Sequence, residues 1–165
     1  MKPIPIAFTL CFLTRSDQVL LLKRNKSPNK GCWNGVGGHI EKGESPYEGC
    51  LREALEETGY RIEQARFGGI LTWQGFEIQD GGLYIFTAET PPDHGQIMDI
   101  EGRLAWKPMD FLFHSAHVVS NLHLTAPHIF NNSPAKQYHF EYHKGQMKRH
   151  IVHPLPSWVD IHTPY

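Results

Sequence analysis

One short segment of this chain constrains the fold most, because it holds a complete set of helix boundary signals. Ser45 is a preferred N-cap residue, Pro46 suits the first helical position, and Glu48 completes a Ser-x-x-Glu capping box. Gly59 can adopt the left-handed conformation that commonly ends a helix. The sequence therefore predicts a helix that begins at Pro46 and ends at Thr58.

The predicted helix would carry three glutamates on one side and apolar residues on the other. At about 3.6 residues per turn, Glu53, Glu56 and Glu57 fall within an arc of roughly 100°. Each like-charge pair at such spacings costs an isolated helix roughly 0.2–0.5 kcal/mol. A divalent cation would offset this cost by accepting carboxylate oxygens, whereas a solvated acidic face is the alternative interpretation. The opposite face holds Tyr47, Cys50, Leu51, Ala54, Leu55 and Thr58.

Segments on either side of this helix have the composition of β-strands. Ile6–Thr14 and Val19–Lys23 are β-prone runs joined by a short polar stretch, which predicts an antiparallel hairpin. Residues 25–43 are rich in Gly and Asn, which predicts a long loop with an extended piece at 33–36. A loop of this length inside a compact domain is usually functional. Further predicted elements are strands at 67–73, 83–88, 104–106, 137–142 and 148–152, turns at Gly81-Gly82 and Lys144-Gly145, and a helix at Ser115–Leu124 that ends near Pro127.

These elements together predict one domain over residues 1–165 of the α/β (α+β) class, with a mixed, largely antiparallel sheet. The 16 Lys and Arg residues are balanced by 17 Asp and Glu residues, which gives a formal net charge of −1. Without a broad basic field the chain is not expected to hold a nucleic-acid polymer, and any phosphate ligand must be bound locally. We therefore expect a small-molecule ligand and a monomer or homodimer.

The cysteines and the N-terminal run bear on the cellular location. Three cysteines without a C-x-x-C pair argue against a disulfide framework or a zinc ribbon, and they favour a reducing compartment. The apolar run Ile4–Leu13 contains Pro5 and is too short to span a bilayer. We expect this run to be a strand and the protein to be cytoplasmic, with no membrane partner.

The predicted helix belongs to a longer pattern, G-x5-E-x7-R-E-u-x-E-E-x-G-u, in which u is an apolar residue. Seven specified positions within residues 38–60 make a chance match far less probable than for a lone glycine motif. On this pattern the chain resembles the Nudix hydrolases, whose box it matches without a gap. The resemblance implies an α/β/α sandwich in which a loop-helix-loop motif presents a metal ion to a diphosphate. The matching residues are Gly38, Glu44, Arg52, Glu53, Glu56, Glu57 and Gly59, with Ala54 and Tyr60 at the apolar positions.

The resemblance also implies roles for these residues, with Mg²⁺ as the cofactor and Mn²⁺ as a substitute. Catalysis is implied for Glu53, Glu57 and Glu101, and the general base is left open between Glu53 and Glu101. The alternative for Glu101 is an ordinary loop carboxylate. Arg52 and Glu44 would brace the motif through a salt bridge, while Gly59 would serve only as the helix cap. The implied metal ligands are the carbonyl oxygen of Gly38 and the carboxylates of Glu53, Glu56, Glu57 and Glu101.

The loop before the helix narrows the substrate class. The segment Trp33-Asn34-Gly35-Val36-Gly37-Gly38 resembles MutT-like diphosphatases, which hydrolyse oxidised purine nucleoside triphosphates such as 8-oxo-dGTP to the monophosphate and pyrophosphate. By this resemblance Asn34 would contact the base, although an asparagine before Gly35 also suits a turn. The implied substrate contacts are Lys23, Arg24, Asn34, Gly37, His39 and Asn121, and Trp73, Phe76, Tyr84 and Phe86 would either stack on the base or belong to the core.

Two alternatives remain open at the level of the sequence. The same chemistry could act on another nucleoside diphosphate derivative, such as a dinucleotide or a nucleotide sugar. A domain of this kind could also bind a nucleotide without turnover, as a sensor. The intact glutamates of the box favour hydrolysis over sensing.

Overall fold

The computed structural model of the chain describes residues 4–91 and 102–164. Within these ranges, three strands precede the first helix, three more strands separate it from the second and third helices, and two strands follow these. The elements are β1 (Ile6–Arg15), β2 (Gln18–Arg24), β3 (Trp33–Asn34), α1 (Pro46–Thr58), β4 (Arg66–Gln74), β5 (Gly81–Glu89), β6 (Gly102–Pro108), α2 (Met109–His114), α3 (Leu122–Phe130), β7 (Lys136–His143) and β8 (Gln146–Pro154).

The strands form a mixed sheet in the order β3-β2-β1-β5-β4-β7-β8, with β6 paired to β2. The pairs β1–β5 and β4–β7 are parallel, and the other pairs between the described strands are antiparallel. This arrangement confirms the predicted mixed, largely antiparallel sheet. β2 pairs with β6 along its whole length but with β1 only close to their hairpin turn, so β1 and β2 diverge beyond that turn. The segment after β3 enters this opening and pairs with β1.

Side chains from β1 alternate between two buried layers, one on each face of the sheet. Leu10 and Phe12 pack with the layer that includes Leu122 of α3, while Cys11 packs with the layer that includes Ala54 of α1. Helices therefore cover both faces, which confirms the expected α/β/α sandwich. Within the described ranges, no helix has the length and apolar character that a bilayer crossing requires.

Helix α1 has the bounds and both caps that the sequence predicts. The backbone N–H of Glu48 donates to Ser45 Oγ (3.1 Å), and the backbone N–H of Ser45 donates to Glu48 Oε2 (2.9 Å), which completes the capping box. Gly59 has a φ of 79°, and its N–H donates to the carbonyl oxygen of Leu55. These bonds fix the start and end of the helix that carries the glutamates.

The prediction of one helix over Ser115–Leu124 is wrong. Residues 115–121 lie between α2 and α3, because Trp33 competes for their backbone groups: its N–H donates to His117 O (2.8 Å), and its carbonyl oxygen accepts from Val119 N–H (3.0 Å). Pro127, expected near a helix end, lies inside α3. A long-range backbone pairing has thus overridden the local helical preference.

The predicted turn at Gly81-Gly82 is also wrong, because both glycines lie in β5. A Cβ at Gly81 would lie 3.0 Å from the ring of Trp73, and one at Gly82 would lie 3.0 Å from the carbonyl oxygen of Leu71. The glycines are explained by close packing against β4 and not by a chain reversal. The turn predicted at Lys144-Gly145 is present between β7 and β8, where both residues have positive φ.

Candidate active site

The loop segment Gly37–Gly38 is held against β1 by backbone hydrogen bonds. The N–H of Cys11 donates to the carbonyl oxygen of Val36 (2.6 Å), and the N–H of Thr9 donates to the carbonyl oxygen of Gly38 (2.9 Å). A Cβ at Gly37 would overlap the carbonyl group of Thr9. Glycine is therefore required at position 37, because this strand-like approach leaves no room for a side chain.

Two of the three glutamates clustered on α1, Glu53 and Glu57, converge on this glycine segment. Glu57 Oε2 accepts a hydrogen bond from the backbone N–H of Gly37 (2.9 Å). The carboxylate of Glu53 lies against Gly38 so closely that a Cβ at Gly38 would be 2.5 Å from Glu53 Oε1. Glu56 is placed differently, since its side chain is 58% exposed and its Oε2 accepts from Arg52. Glu53 and Glu57 therefore line the cleft that adjoins this segment, whereas Glu56 does not.

Arg52 braces the motif from the side. Its Nε and Nη2 donate to the two carboxylate oxygens of Glu44, at 2.9 and 2.7 Å, which is the bidentate pair that the resemblance implies. Nη1 donates to Glu53 Oε1 (2.9 Å), and Nη2 also donates to the carbonyl oxygen of His39 (2.9 Å). One guanidinium thus fixes the loop before α1, the glycine segment and one cleft carboxylate relative to each other.

The two carboxylates bonded to Arg52 have opposite pKa shifts. The hydrogen bond from Arg52 lowers the pKa of Glu44 below its ordinary value. Burial raises the pKa of Glu53, and the hydrogen bond from Arg52 offsets only part of that effect. The negative charge of Glu53 is therefore incompletely compensated by the protein, as is typical of a carboxylate that binds a cation or accepts a proton.

The donor set of this site fits a hard divalent cation. Glu53 and Glu57 supply carboxylate oxygens, and the Gly38 carbonyl oxygen keeps a second lone pair beside its bond to Thr9. Within residues 4–91 and 102–164, no group of three or more His, Cys, Asp or Glu side chains could hold a metal ion by itself. Since Mg²⁺ is usually held by one or two carboxylates together with substrate phosphates, the set suits an ion shared with a ligand.

A cleft of about 1240 Å³ runs from these glutamates to an aromatic wall. It is large enough for a nucleotide-sized ligand. Lys23 is exposed and does not line the cleft. Tyr84 and Phe86 also lie outside it, because they belong to the core on the α1 side. Glu101 lies outside the described residues, so its role stays a prediction. The predicted site residues that line the cleft are Arg24, Asn34, Gly37, Gly38, His39, Glu53, Glu57, Trp73, Phe76 and Asn121.

Several of these side chains already have partners. Asn34 Oδ1 accepts from the N–H of Gly35 (2.8 Å), as expected for an asparagine in a turn. A contact between Asn34 and a ligand would then be made by Nδ2. Arg24 Nε donates to the carbonyl oxygen of Pro28 (2.7 Å). The His39 ring packs on Phe8 with centroids 4.2 Å apart. The polar lining is thus held in place by the protein itself.

Thr9 is a lining residue that the sequence did not reveal. Its side chain is only 3% exposed, and its Oγ1 has no hydrogen-bond partner among the described residues. A buried, unpaired hydroxyl costs free energy unless a ligand or water satisfies it. A single threonine in an apolar strand carries no sequence signal for this situation. The signal appears only once β1 and Gly38 are placed beside each other.

The depressed pKa of Glu44 predicts how its contribution to stability depends on pH. Because the folded-state pKa is below the ordinary value of 4.5, the contribution is fully present above about pH 4.5 and is lost as pH falls through the folded-state pKa. We expect Glu44→Gln to lower the free energy of unfolding at neutral pH and to approach the wild type in acid. Denaturant unfolding at several pH values measures this, with Glu63→Gln as an exposed control, and a difference independent of pH would contradict it.

The fold and the paired carboxylates beside a glycine segment define a Nudix-type domain. A model of the NUDIX domain matches residues 3–118, which is more than half of the chain. The chain therefore belongs to the Nudix hydrolase family. A crystal structure of the MutT protein from Bacillus halodurans is 26% identical, with a TM-score of 0.74 over 90% of this chain and 98% of that chain.

Two curated relatives each match part of the chain. The uncharacterized Nudix hydrolase YvcI of Bacillus subtilis is 34% identical over 105 residues, which cover 59% of this chain and 63% of the relative. The oxidized purine nucleoside triphosphate hydrolase of Mus musculus is 31% identical over 85 residues, which cover 50% of this chain and 53% of the relative. The matches thus span between half and two thirds of the length of these relatives.

Proposed function

We propose that this chain hydrolyses an oxidised purine nucleoside triphosphate, such as 8-oxo-dGTP, to the monophosphate and pyrophosphate, with Mg²⁺ or in its place Mn²⁺. The proposal rests on one observation, a single cleft whose two ends differ in their chemistry. Glu53 and Glu57 meet the Gly37–Gly38 backbone at one end, and amide and aromatic side chains line the other. The similarity to the mouse oxidized purine nucleoside triphosphate hydrolase supports the same substrate class.

At the acidic end, Glu57, Glu53 and the carbonyl oxygen of Gly38 would hold the ion, with Glu56 and Glu101 as further candidate ligands. When bound, Mg²⁺ supplies a water of lowered pKa and neutralises phosphate charge. Glu53 Oε1 already accepts from Arg52, so Oε2 is the oxygen assigned to take the proton of the attacking water.

At the other end, the purine base would lie against the aromatic wall. Stacking of a base on an aromatic side chain is worth about 1–3 kcal/mol, and Trp73 and Phe76 both line the cleft. Asn34 and Asn121 bring amide groups that can pair with the edge of a base. Arg24 and His39 lie along the same cleft and are assigned to the phosphates, whereas the exposed Lys23 would need to reorient to reach them.

A substrate panel tests this proposal. The purified chain with Mg²⁺ is offered 8-oxo-dGTP, dGTP, a nucleotide sugar, ADP-ribose and a dinucleotide, with separate detection of pyrophosphate and phosphate. We expect the highest kcat/KM with 8-oxo-dGTP and release of pyrophosphate. A higher kcat/KM for an unmodified nucleotide would contradict the oxidised substrate, and the absence of turnover with every compound would favour the sensor alternative.

The unpaired hydroxyl of Thr9 gives a prediction for the same cleft. Thr9→Val keeps the side-chain shape and removes a buried hydroxyl that has no partner within residues 4–91 and 102–164, so the free energy of unfolding should stay equal or rise by up to about 1 kcal/mol. If the hydroxyl pairs with the nucleotide, KM should rise about fivefold with little change in kcat. Chemical denaturation and steady-state kinetics measure the two effects.

Thr72→Val is the matched control for this experiment. Thr72 is also buried, but its Oγ1 is hydrogen bonded to His139 Nδ1 (2.8 Å), and Thr72 does not line the cleft. This variant should lose stability while KM stays unchanged. An unchanged KM in Thr9→Val would remove Thr9 from the nucleotide site.

A further inference from the structure

The tip of the β7–β8 hairpin reaches the nucleotide cleft, although it lies far from the Nudix box in sequence. Tyr142 and Gly145 from this tip line the cleft. The pairing register shifts beside Tyr142: Glu141 pairs with Arg149, whereas Tyr142 pairs with Met147, so Lys148 is skipped. A β-bulge of this kind bends a strand and re-aims the neighbouring side chains, and bulges are frequent next to functional sites.

Tyr142 joins three separate pieces of the chain at the cleft. Its hydroxyl accepts a hydrogen bond from Asn121 Nδ2 (3.3 Å), at the residue that precedes α3. Its ring packs against Phe76 from the β4–β5 loop, with centroids 4.7 Å apart and planes inclined by 48°. Gly75 of the same loop lies against the backbone carbonyl of Tyr142 and leaves no room for a Cβ there. The Tyr142 side chain is thus fixed from both sides.

The bond to Tyr142 determines what Asn121 can offer to a ligand. Because one N–H of the Asn121 amide donates to the tyrosine hydroxyl, the amide is held in one orientation, in which Oδ1 can accept from a group in the cleft and the second N–H can still donate. An ordinary guanine carries an acceptor at N7. Oxidation at C8 places a hydrogen on N7, which turns the same position into a donor. An acceptor held in place would therefore favour the oxidised base and oppose the ordinary one.

We propose that Tyr142 is a specificity-determining positioning residue, which orients the Asn121 amide towards an oxidised purine and forms the wall of the base site together with Phe76. This inference rests on the proposed substrate class. Asn121 and Tyr142 both lie beyond residues 3–118, the part that the family model matches. The proposal thereby assigns part of the base selectivity to residues outside the region that the family model matches.

Binding of monophosphates tests this role without requiring turnover. Isothermal calorimetry compares 8-oxo-dGMP with dGMP for the wild type, Tyr142→Phe, Asn121→Ala and the double variant. Tyr142→Phe keeps the ring on Phe76 and removes only the hydroxyl, so we expect the preference for 8-oxo-dGMP to fall about 3- to 10-fold. Asn121→Ala should lower it at least as much, and Tyr142→Phe should add no further loss in that background because the two residues act as one unit.

Tyr138→Phe is the matched control, since Tyr138 is on the same strand but is buried and does not line the cleft. The preference of this variant for 8-oxo-dGMP over dGMP should equal that of the wild type. Additive effects of the two substitutions, an unchanged preference in Tyr142→Phe, or a wild type that binds both monophosphates equally would each overturn the inference. Loss of hydrolysis with the binding preference intact would instead count against the proposed activity alone.

Discussion

Glu53→Gln is expected to lower kcat about 10²–10⁴-fold while the fold stays intact. Glu53 lies against Gly38 at the acidic end of the cleft, where Oε2 is assigned to take a proton. The amide keeps the shape and can still accept from Arg52, but it can neither take the proton nor carry a negative charge. Steady-state kinetics with 8-oxo-dGTP measures the effect, and Glu63→Gln, at an exposed position outside the cleft, is the control.

The same substitution should not destabilise the metal-free chain. Burial raises the folded-state pKa of Glu53, so ionisation of this carboxyl is less favourable in the folded than in the unfolded state. The associated penalty is absent at low pH and grows as pH rises above the ordinary value of 4.5. At neutral pH, Glu53→Gln removes the penalty and should unfold at an equal or higher temperature. Near-normal turnover in a stable variant would refute the role assigned to Glu53.

Arg52→Ala is expected to lower the free energy of unfolding by about 2–4 kcal/mol, because it leaves partly buried carboxylates without their cation. The side chains of Arg52 and Glu44 are only 22% and 14% exposed, so solvent screens this network less than a surface ion pair. Turnover should fall about 10²-fold as well, since Arg52 holds Glu53 and the His39 carbonyl in one arrangement. Thermal denaturation and kinetics measure the two losses.

Two further variants separate charge from geometry at Arg52. Arg52→Lys keeps the positive charge but cannot reproduce the two parallel bonds to Glu44, so it should give intermediate losses of stability and activity. Arg61→Ala, at an exposed position, should change the free energy of unfolding by less than about 0.5 kcal/mol. A fully active, fully stable Arg52→Ala variant would show that the brace is not needed.

The site was predictable from the sequence where its signals are local. The caps of α1 depend on residues within one or two turns, so Ser45, Glu48 and Gly59 fixed the bounds of the helix before any tertiary contact was known. The placement of Glu53 and Glu57 towards one cleft follows from the same helix, because residues four apart share a face. These local rules account for the acidic end of the site, whereas the Arg52–Glu44 pair was implied only by the resemblance to the Nudix box.

The base end was predictable only in part, because it depends on contacts between distant segments. Asn121 and Tyr142 come together across 21 positions of sequence, and neither residue predicts the other. Residues 115–121 fit a helical pattern, yet their backbone pairs with Trp33. The burial of the Thr9 hydroxyl without a hydrogen-bond partner among the described residues is apparent only in the folded structure. Each of these features is set by tertiary packing, which overrides local propensity.

The central claim is that Glu53, Glu57 and the Gly38 carbonyl hold a divalent cation together with the phosphates of a bound nucleotide. Isothermal calorimetry with Mg²⁺, in the presence of a hydrolysis-resistant triphosphate analogue, tests it most directly. We predict saturable uptake of Mg²⁺ by the wild type, weakened at least about 10-fold in Glu57→Gln. Equal uptake by both chains, or none by the wild type with the analogue bound, would contradict the claim.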